Sequence, residues 1–201
     1  NAISQGMQDG LISSTTMEKD SSTGAYLIKS ADQFCQFASL VNNGNTGIQG
    51  QLSIDMNMAG EKYGGSEADP LLWEPIGTAG NIFQGTFDGK GKVLGSLSVN
   101  KTGYAGLFGC AGGGAVIRNL GLDSSCRVVS AGAADGVDGT AGFVGAVLSV
   151  PGKTDNITIE NCYNRASVKG TSSQTGAFVG AYGGEASGTH VISHCYTAGA
   201  I

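Results

Sequence analysis

Charge is scarce in this chain: only 13% of its 201 residues are Asp, Glu, Lys or Arg, about half the usual share. Basic residues are the scarcer kind, 11 against 16 acidic, and a net charge of −5 argues against a nucleic-acid partner, which would need a basic face. Proline occurs three times and glycine follows no Gly-X-Y period, which excludes a collagen-like rod. No apolar run approaches the roughly 18 residues needed to cross a membrane as a helix. Cysteine is present five times (35, 110, 126, 162, 195) but never as C-x-x-C, so zinc-site spacing is absent and an odd thiol remains in any disulfide scheme. What is abundant is glycine, 35 residues, alongside 40% hydrophobic residues, enough apolar mass for a core.

The length fits one domain, and three zones separate along it. Residues 1–24 are polar and read as an N-terminal arm or weakly docked segment. From Tyr26 to about Met58 the pattern is strand–helix–strand. Tyr26-Leu27-Ile28 is a short strand. Ser30-Ala31-Asp32-Gln33 fits a capping box, and Phe34, Phe37, Ala38, Leu40 and Val41 follow at helical spacing. Asn42-Asn43-Gly44-Asn45 supplies a left-handed stop. Leu52, Ile54, Met56 and Met58 alternate with polar residues, which predicts one strand.

From Trp73 the chain repeats itself. Ala105-Gly106-Leu107-Phe108-Gly109, Ala141-Gly142-Phe143-Val144-Gly145 and Gly176-Ala177-Phe178-Val179-Gly180 are each followed by an isoleucine-led piece: Ile117-Arg118-Asn119-Leu120, Ile159-Glu160-Asn161-Cys162 and Ile192-Ser193-His194-Cys195. The closing glycines lie 36 and 35 residues apart, while the loops between the pieces vary in length. Constant strands on variable loops are the mark of stacked repeats. Each short apolar piece cannot bury its face alone but can do so against its equivalent about 4.8 Å away. Glycine at the corners would permit positive-φ bends, and interior glycines rule out helix at about 1 kcal/mol each. The fold class expected is all-β, a parallel β-helix (solenoid) over 26–201 with a short N-terminal capping α-helix at Ser30–Asn43.

These pieces resemble the GLUG motif, and Asn161-Cys162-Tyr163 and His194-Cys195-Tyr196 resemble the N-C-Y segments that follow it. Trp73-x-Pro75-Ile76-Gly77 and Phe83-x-Gly85-Thr86-Phe87-Asp88-Gly89 resemble the lead-in. The GLUG-like repeats fall at about 103–128, 139–168 and 174–201. Ala177 replaces a motif glycine and Leu120 a motif cysteine. The resemblance implies a right-handed parallel β-helix in a bacterial cell-surface or secreted protein, of the kind also found in non-catalytic regions of IgA-specific metalloproteases, with no catalytic residues to carry over.

Candidate chemistry is thin. His190 and His194, four apart in a strand, would lie about 13 Å from each other, too far for one ion. His194 and Cys195 would point to opposite faces, and Cys162 and Cys195 would stack inside as small hydrophobes. Gly109 to Gly114 and Gly89-Lys90-Gly91 are only superficially like phosphate loops. A β-helix enzyme acting on polysaccharides would need carboxylates, or a carboxylate and a base, on one face. The candidates are Asp55, Asp88, Asp123, Glu160 and Arg118. Asp88 reads as a turn residue bonded to its own backbone. Asn100-Lys101-Thr102 and Asn156-Ile157-Thr158 match the glycosylation pattern, of little meaning in a bacterial chain.

No catalytic, cofactor or metal residues are therefore assigned. Tyr163 and Tyr196, following the stacked cysteines, should point outward as a small aromatic ladder suited to a sugar or protein. The expected function is a non-catalytic structural or adhesive module, with a carbohydrate-active enzyme (polysaccharide lyase or glycosidase type) as the alternative. Partners would be a host or bacterial glycan or protein, through the tyrosines or the loops at 129–139 and 146–156, and neighbouring domains of the same polypeptide. The chain starts at Asn1 without a signal-peptide pattern and stops at Ile201 inside a repeat, so it is expected to be a piece of a longer extracellular protein.

Overall fold

The computed structural model describes residues 17–58, 72–133, 138–154, 156–171, 174–183 and 188–201. Residues 1–16 of the expected arm, and parts of both long loops (134–137 and 155), lie outside the described residues. Residues 17–24 form a turn against the first strand. Asp20 accepts from the Ser22 and Thr23 N–H groups, Lys19 bridges Tyr26 antiparallel, and Met17 is buried in the core.

The described chain is mostly β, with one helix. Strand β1 (Tyr26–Ile28) leads into α1 (Ala31–Asn42), then β2 (Gly50–Leu52) and β3 (Met56–Asn57). Strands β4 (Thr86–Gly95), β5 (Ser98–Lys101), β6 (Tyr104–Ala105) and β7 (Phe108–Ala111) follow. Next come β8 (Ala115–Leu122), β9 (Arg127–Ser130), β10 (Gly139–Ala141) and β11 (Val144–Val147). Then come β12 (Ile157–Glu160), β13 (Tyr163–Asn164) and β14 (Ser167–Lys169). The last are β15 (Thr175–Gly176), β16 (Val179–Tyr182), β17 (His190–Ser193) and β18 (Tyr196–Thr197). Four sheets result, every strand pair in them parallel. The largest runs β1-β2-β4-β8-β12-β17, with β3 beside β4 and β13 joining β8 to β18. The others are β6-β10-β15, β7-β11-β16 and β5-β9-β14.

Register explains the repeat. Phe87, Ile117, Ile159 and Ile192 are successive partners on one inward column, and the first three are fully buried. Phe143 stacks on Phe178 at 5.2 Å in another. At the N-terminal end of the core, Phe34 and Phe37 of α1 pack on Trp73 and Phe87, with ring centroids 4.6 to 5.7 Å apart. The helix begins at Ser30, whose hydroxyl accepts from Gln33 N–H. Gln33 in turn accepts from the N–H of Lys29, one residue upstream of the usual capping-box target. Gly44 (φ +106), rather than an asparagine, takes the left-handed stop.

Three expectations need correction. The Leu52–Met58 alternation is not one strand: Ser53-Ile54-Asp55 bends between β2 and β3, leaving Ile54 exposed. His194 is not a strand residue but sits just past β17 at φ +52. Glycine does make left-handed bends as expected at Gly103 (φ +84) before β6 and at Gly113 and Gly114 (φ +58 and +93) before β8, but the glycines that close the recurring pieces are not there for positive φ. Gly109, Gly145 and Gly180 all lack it; a Cβ on Gly145 would come within 2.9 Å of Ala105 N and Gly109 O. Such a contact has no room for a side chain, so these glycines let neighbouring backbones approach. Left-handed corners fall also on Asn119, Asn161 and His194 (φ 55, 51 and 52), equivalent positions in three successive units. Asparagine is the non-glycine residue most tolerant of that region, which explains its place before cysteine in the motif.

Candidate functional site

Tyr163 and Tyr196 are register partners in β13 and β18, and their rings stack at 5.3 Å with 15° between planes. The expected ladder therefore exists, but its faces are largely spent. The Tyr163 ring lies across Gly121, its partner in β8: a Cβ there would come within 2.1 Å of Tyr163 Cζ. An aromatic ring covering a cross-strand glycine is a known device for stabilising a sheet. Tyr163 has Gly121 under one face and Tyr196 over the other, while Tyr196 is the more exposed ring of the two, at 52%. Burial first, then Tyr196, Asp123 and Asp55, push the Tyr163 hydroxyl above its ordinary value, against the opposing charge of Arg165.

Two shallow depressions flank this column. One, about 260 Å³, is lined by Lys92, Asn119, Asn161, Gly121 and Tyr163. The other, about 330 Å³, brings Asp55 and Asp123 together with Ser96 and Ser125. Both carboxylates already serve the fold. Asp55 Oδ1 accepts from Val93 N–H at 2.9 Å, and Asp123 Oδ1 accepts from the Ser125 N–H and hydroxyl.

Register also assembles Asp88, Arg118 and Glu160 into one outward column. Arg118 Nε donates to Asp88 Oδ2 at 3.0 Å, while Asp88 Oδ1 accepts from Asn119 Nδ2 and Lys90 N–H. Burial pushes Asp88 up, but these hydrogen bonds and the Arg118 charge outweigh it and hold the carboxyl below its ordinary value. Asp88 does bond to its own turn, as expected, but its Arg118 and Asn119 contacts come from the next unit. The Gly89-Lys90-Gly91 segment sits at an irregularity inside β4, where three residues lie opposite Asn119 alone, and leads into no helix.

One site escaped the sequence reading: a cleft of about 280 Å³ lined by Pro75, Thr78, Tyr104 and Cys110, with the Glu74–Lys101 ion pair (2.5 Å) at its side. Its pieces come from three separate strands and loops, and no local pattern announces them. Burial pushes the Cys110 thiol up to about 12, which makes it a poor nucleophile. Cys162 is likewise pushed to about 12 by burial, and Cys195 lies half-buried beside it, both thiols free. Among the described residues no group of three or more His, Cys, Asp or Glu gathers as a metal site. His190 packs against Tyr182 with both ring nitrogens buried and without hydrogen-bond partners.

No family model matches the chain. A stretch of 91 residues, 44% of the chain, is 34% identical to a protein of Evansella cellulosilytica that carries the provisional name Gly-rich membrane protein. That stretch is 10% of the Evansella protein. The crystal structure of a provisionally assigned immunoglobulin A1 protease from Bacteroides ovatus matches 92% of the chain with a TM-score of 0.60 and 20% identity. The chain covers 60% of that structure, so it spans only part of each relative, and at this identity the likeness is one of fold. No helix among the described residues is long and apolar enough to cross a membrane.

Proposed function

We propose that the chain is a right-handed parallel β-helix built from GLUG-like repeats, and a non-catalytic structural or adhesive module of a bacterial cell-surface or secreted protein. One observation carries this reading. Equivalent residues of successive units fall in register, and the candidate carboxylates Asp55, Asp88 and Asp123 act as acceptors for that lattice's own backbone and side chains. A Gly-rich membrane protein and an immunoglobulin A1 protease are the kinds of large bacterial protein in which such a module would serve.

Incubation with a panel of acidic and neutral polysaccharides tests it. The reading expects no new reducing ends and no unsaturated products; release of either overturns it. The second reading, a polysaccharide-degrading enzyme, draws on the depression shared by Asp55 and Asp123. It requires activity that Asp55→Asn and Asp123→Asn abolish. If the module is adhesive, Tyr196 is the more exposed ring of the ladder and the better placed to meet a sugar. Glycan-array binding unchanged in Tyr163→Ala and Tyr196→Ala removes both tyrosines from that role.

A further inference from the structure

We infer that the cleft between the Glu74–Ala79 loop and the β5–β6 turn binds one ring of a neutral sugar through two neighbouring hydroxyls. The inference rests on the adhesive reading above and places the contact away from the tyrosine ladder. The cleft holds about 280 Å³, at the lower bound for a ligand pocket, which suits a single ring. Its loop wall is formed in advance. Asn42, the last residue of α1, donates from Nδ2 to Pro75 O at 3.0 Å and accepts from Gly77 N–H at 2.7 Å. Asn81 Nδ2 donates back to Asn42 O at 2.9 Å, and Gly77 takes the bend at φ +84. A wall already ordered spares the ligand that entropic cost.

Chemistry then selects the occupant. Glu74 and Lys101 are the only charged residues lining the cleft, and they pair with each other. An anion would be repelled by Glu74 and a cation by Lys101, so a neutral ligand fits best. The pair keeps spare capacity: Lys101 bonds Glu74 Oε1, and among the described residues Oε2 and the remaining ammonium N–H groups have no partner. An acceptor beside a donor matches two adjacent hydroxyls, one donating to the carboxylate and the other accepting from the ammonium. The rest of the lining is mainly apolar, with Pro75, Ala79 and Tyr104 offering surface to the C–H face of a sugar ring. Burial first, then Cys110 and Asp138, raise the Tyr104 hydroxyl above its ordinary value, so it stays a neutral donor.

Saturation-transfer NMR with the methyl glycosides of glucose, galactose and mannose tests it, each at about 10 mM, above the roughly millimolar dissociation constant of one small ring. At least one glycoside should bind and should shift the amide resonances of Gly77, Gly103 and Tyr104. Tetrahydropyran-2-methanol, the same ring without neighbouring hydroxyls, should not bind. Glu74→Gln and Lys101→Met should each weaken binding about tenfold with the far-UV circular dichroism of the parent, whereas Tyr163→Ala and Tyr196→Ala should leave it unchanged. No saturation from any of the three glycosides overturns the inference and leaves a purely structural module standing. Equal saturation of tetrahydropyran-2-methanol, or shifts confined to Tyr163 and Tyr196, overturns it as well. Cleavage of a polysaccharide overturns the non-catalytic reading instead, and these amide shifts still decide the cleft.

Discussion

Asn161 donates from Nδ2 to Asn119 Oδ1 across 3.3 Å, and both residues hold the same left-handed corner of successive units. Asn119 makes the same donation to Asp88 one unit earlier, at 3.0 Å, so the corners are tied in a polar ladder. The next corner belongs to His194, which has neither the amide nor the same tolerance of positive φ.

Asn161→Ala should destabilise the fold by about 1–2 kcal/mol, the usual penalty for a Cβ-bearing residue in the left-handed region together with one lost hydrogen bond. Asn161→Gly should cost less. His194→Asn should stabilise by a few tenths of a kcal/mol or more. Urea midpoints at constant m-value measure all three.

Gly121→Ala should dislodge the Tyr163 ring and separate it from Tyr196. The stack is worth about 0.5–1.5 kcal/mol, and near-ultraviolet dichroism should fall with the stability. If Tyr163→Ala is already in place, Gly121→Ala should add little, because the clash has gone.

The repeat spacing, the helix with its Ser30 cap and the inward columns were legible in the sequence, because each rests on local periodicity. Three features were not. Gly145 looks like a corner glycine until the approach of Ala105 and Gly109 is seen, and that approach depends on units far apart in sequence. Asn164, to which no local pattern points, is fully buried, bridging Ala177 O and Ala166 N–H. The Asp88–Arg118–Glu160 column needs the register of β4, β8 and β12, which loops of unequal length conceal.

Asp88→Ala should cost about 1–3 kcal/mol, since it leaves the Asn119 amide and Lys90 N–H without their acceptor. Its carboxyl is held below the ordinary 3.8, so its contribution is present above that value and lost as pH falls through the lowered one. Thermal unfolding of the parent should therefore weaken below about pH 4 more steeply than that of Asp88→Asn.

Burial raises the Cys110, Cys126 and Cys162 thiols from 9.0 to about 12, 11 and 12. Unfolded thiols ionise first, so stability should be fully present below about pH 8.5 and decline as pH rises towards the folded values. At neutral pH a thiol reagent should reach Cys195 first and the four buried cysteines only on unfolding.

The central claim, that the chain is a stack of interchangeable in-register units, is tested most directly by removing one. Thr140 pairs with Thr175 and Ala141 with Gly176, so deleting residues 141–175 joins Thr140 to Gly176 and brings each later strand one unit down without changing its register. The shortened chain should fold, with an unchanged β signature in circular dichroism, a single cooperative transition and a lower midpoint, as nearest-neighbour stacking requires. A chain that loses its β signature or its cooperative transition would contradict the account.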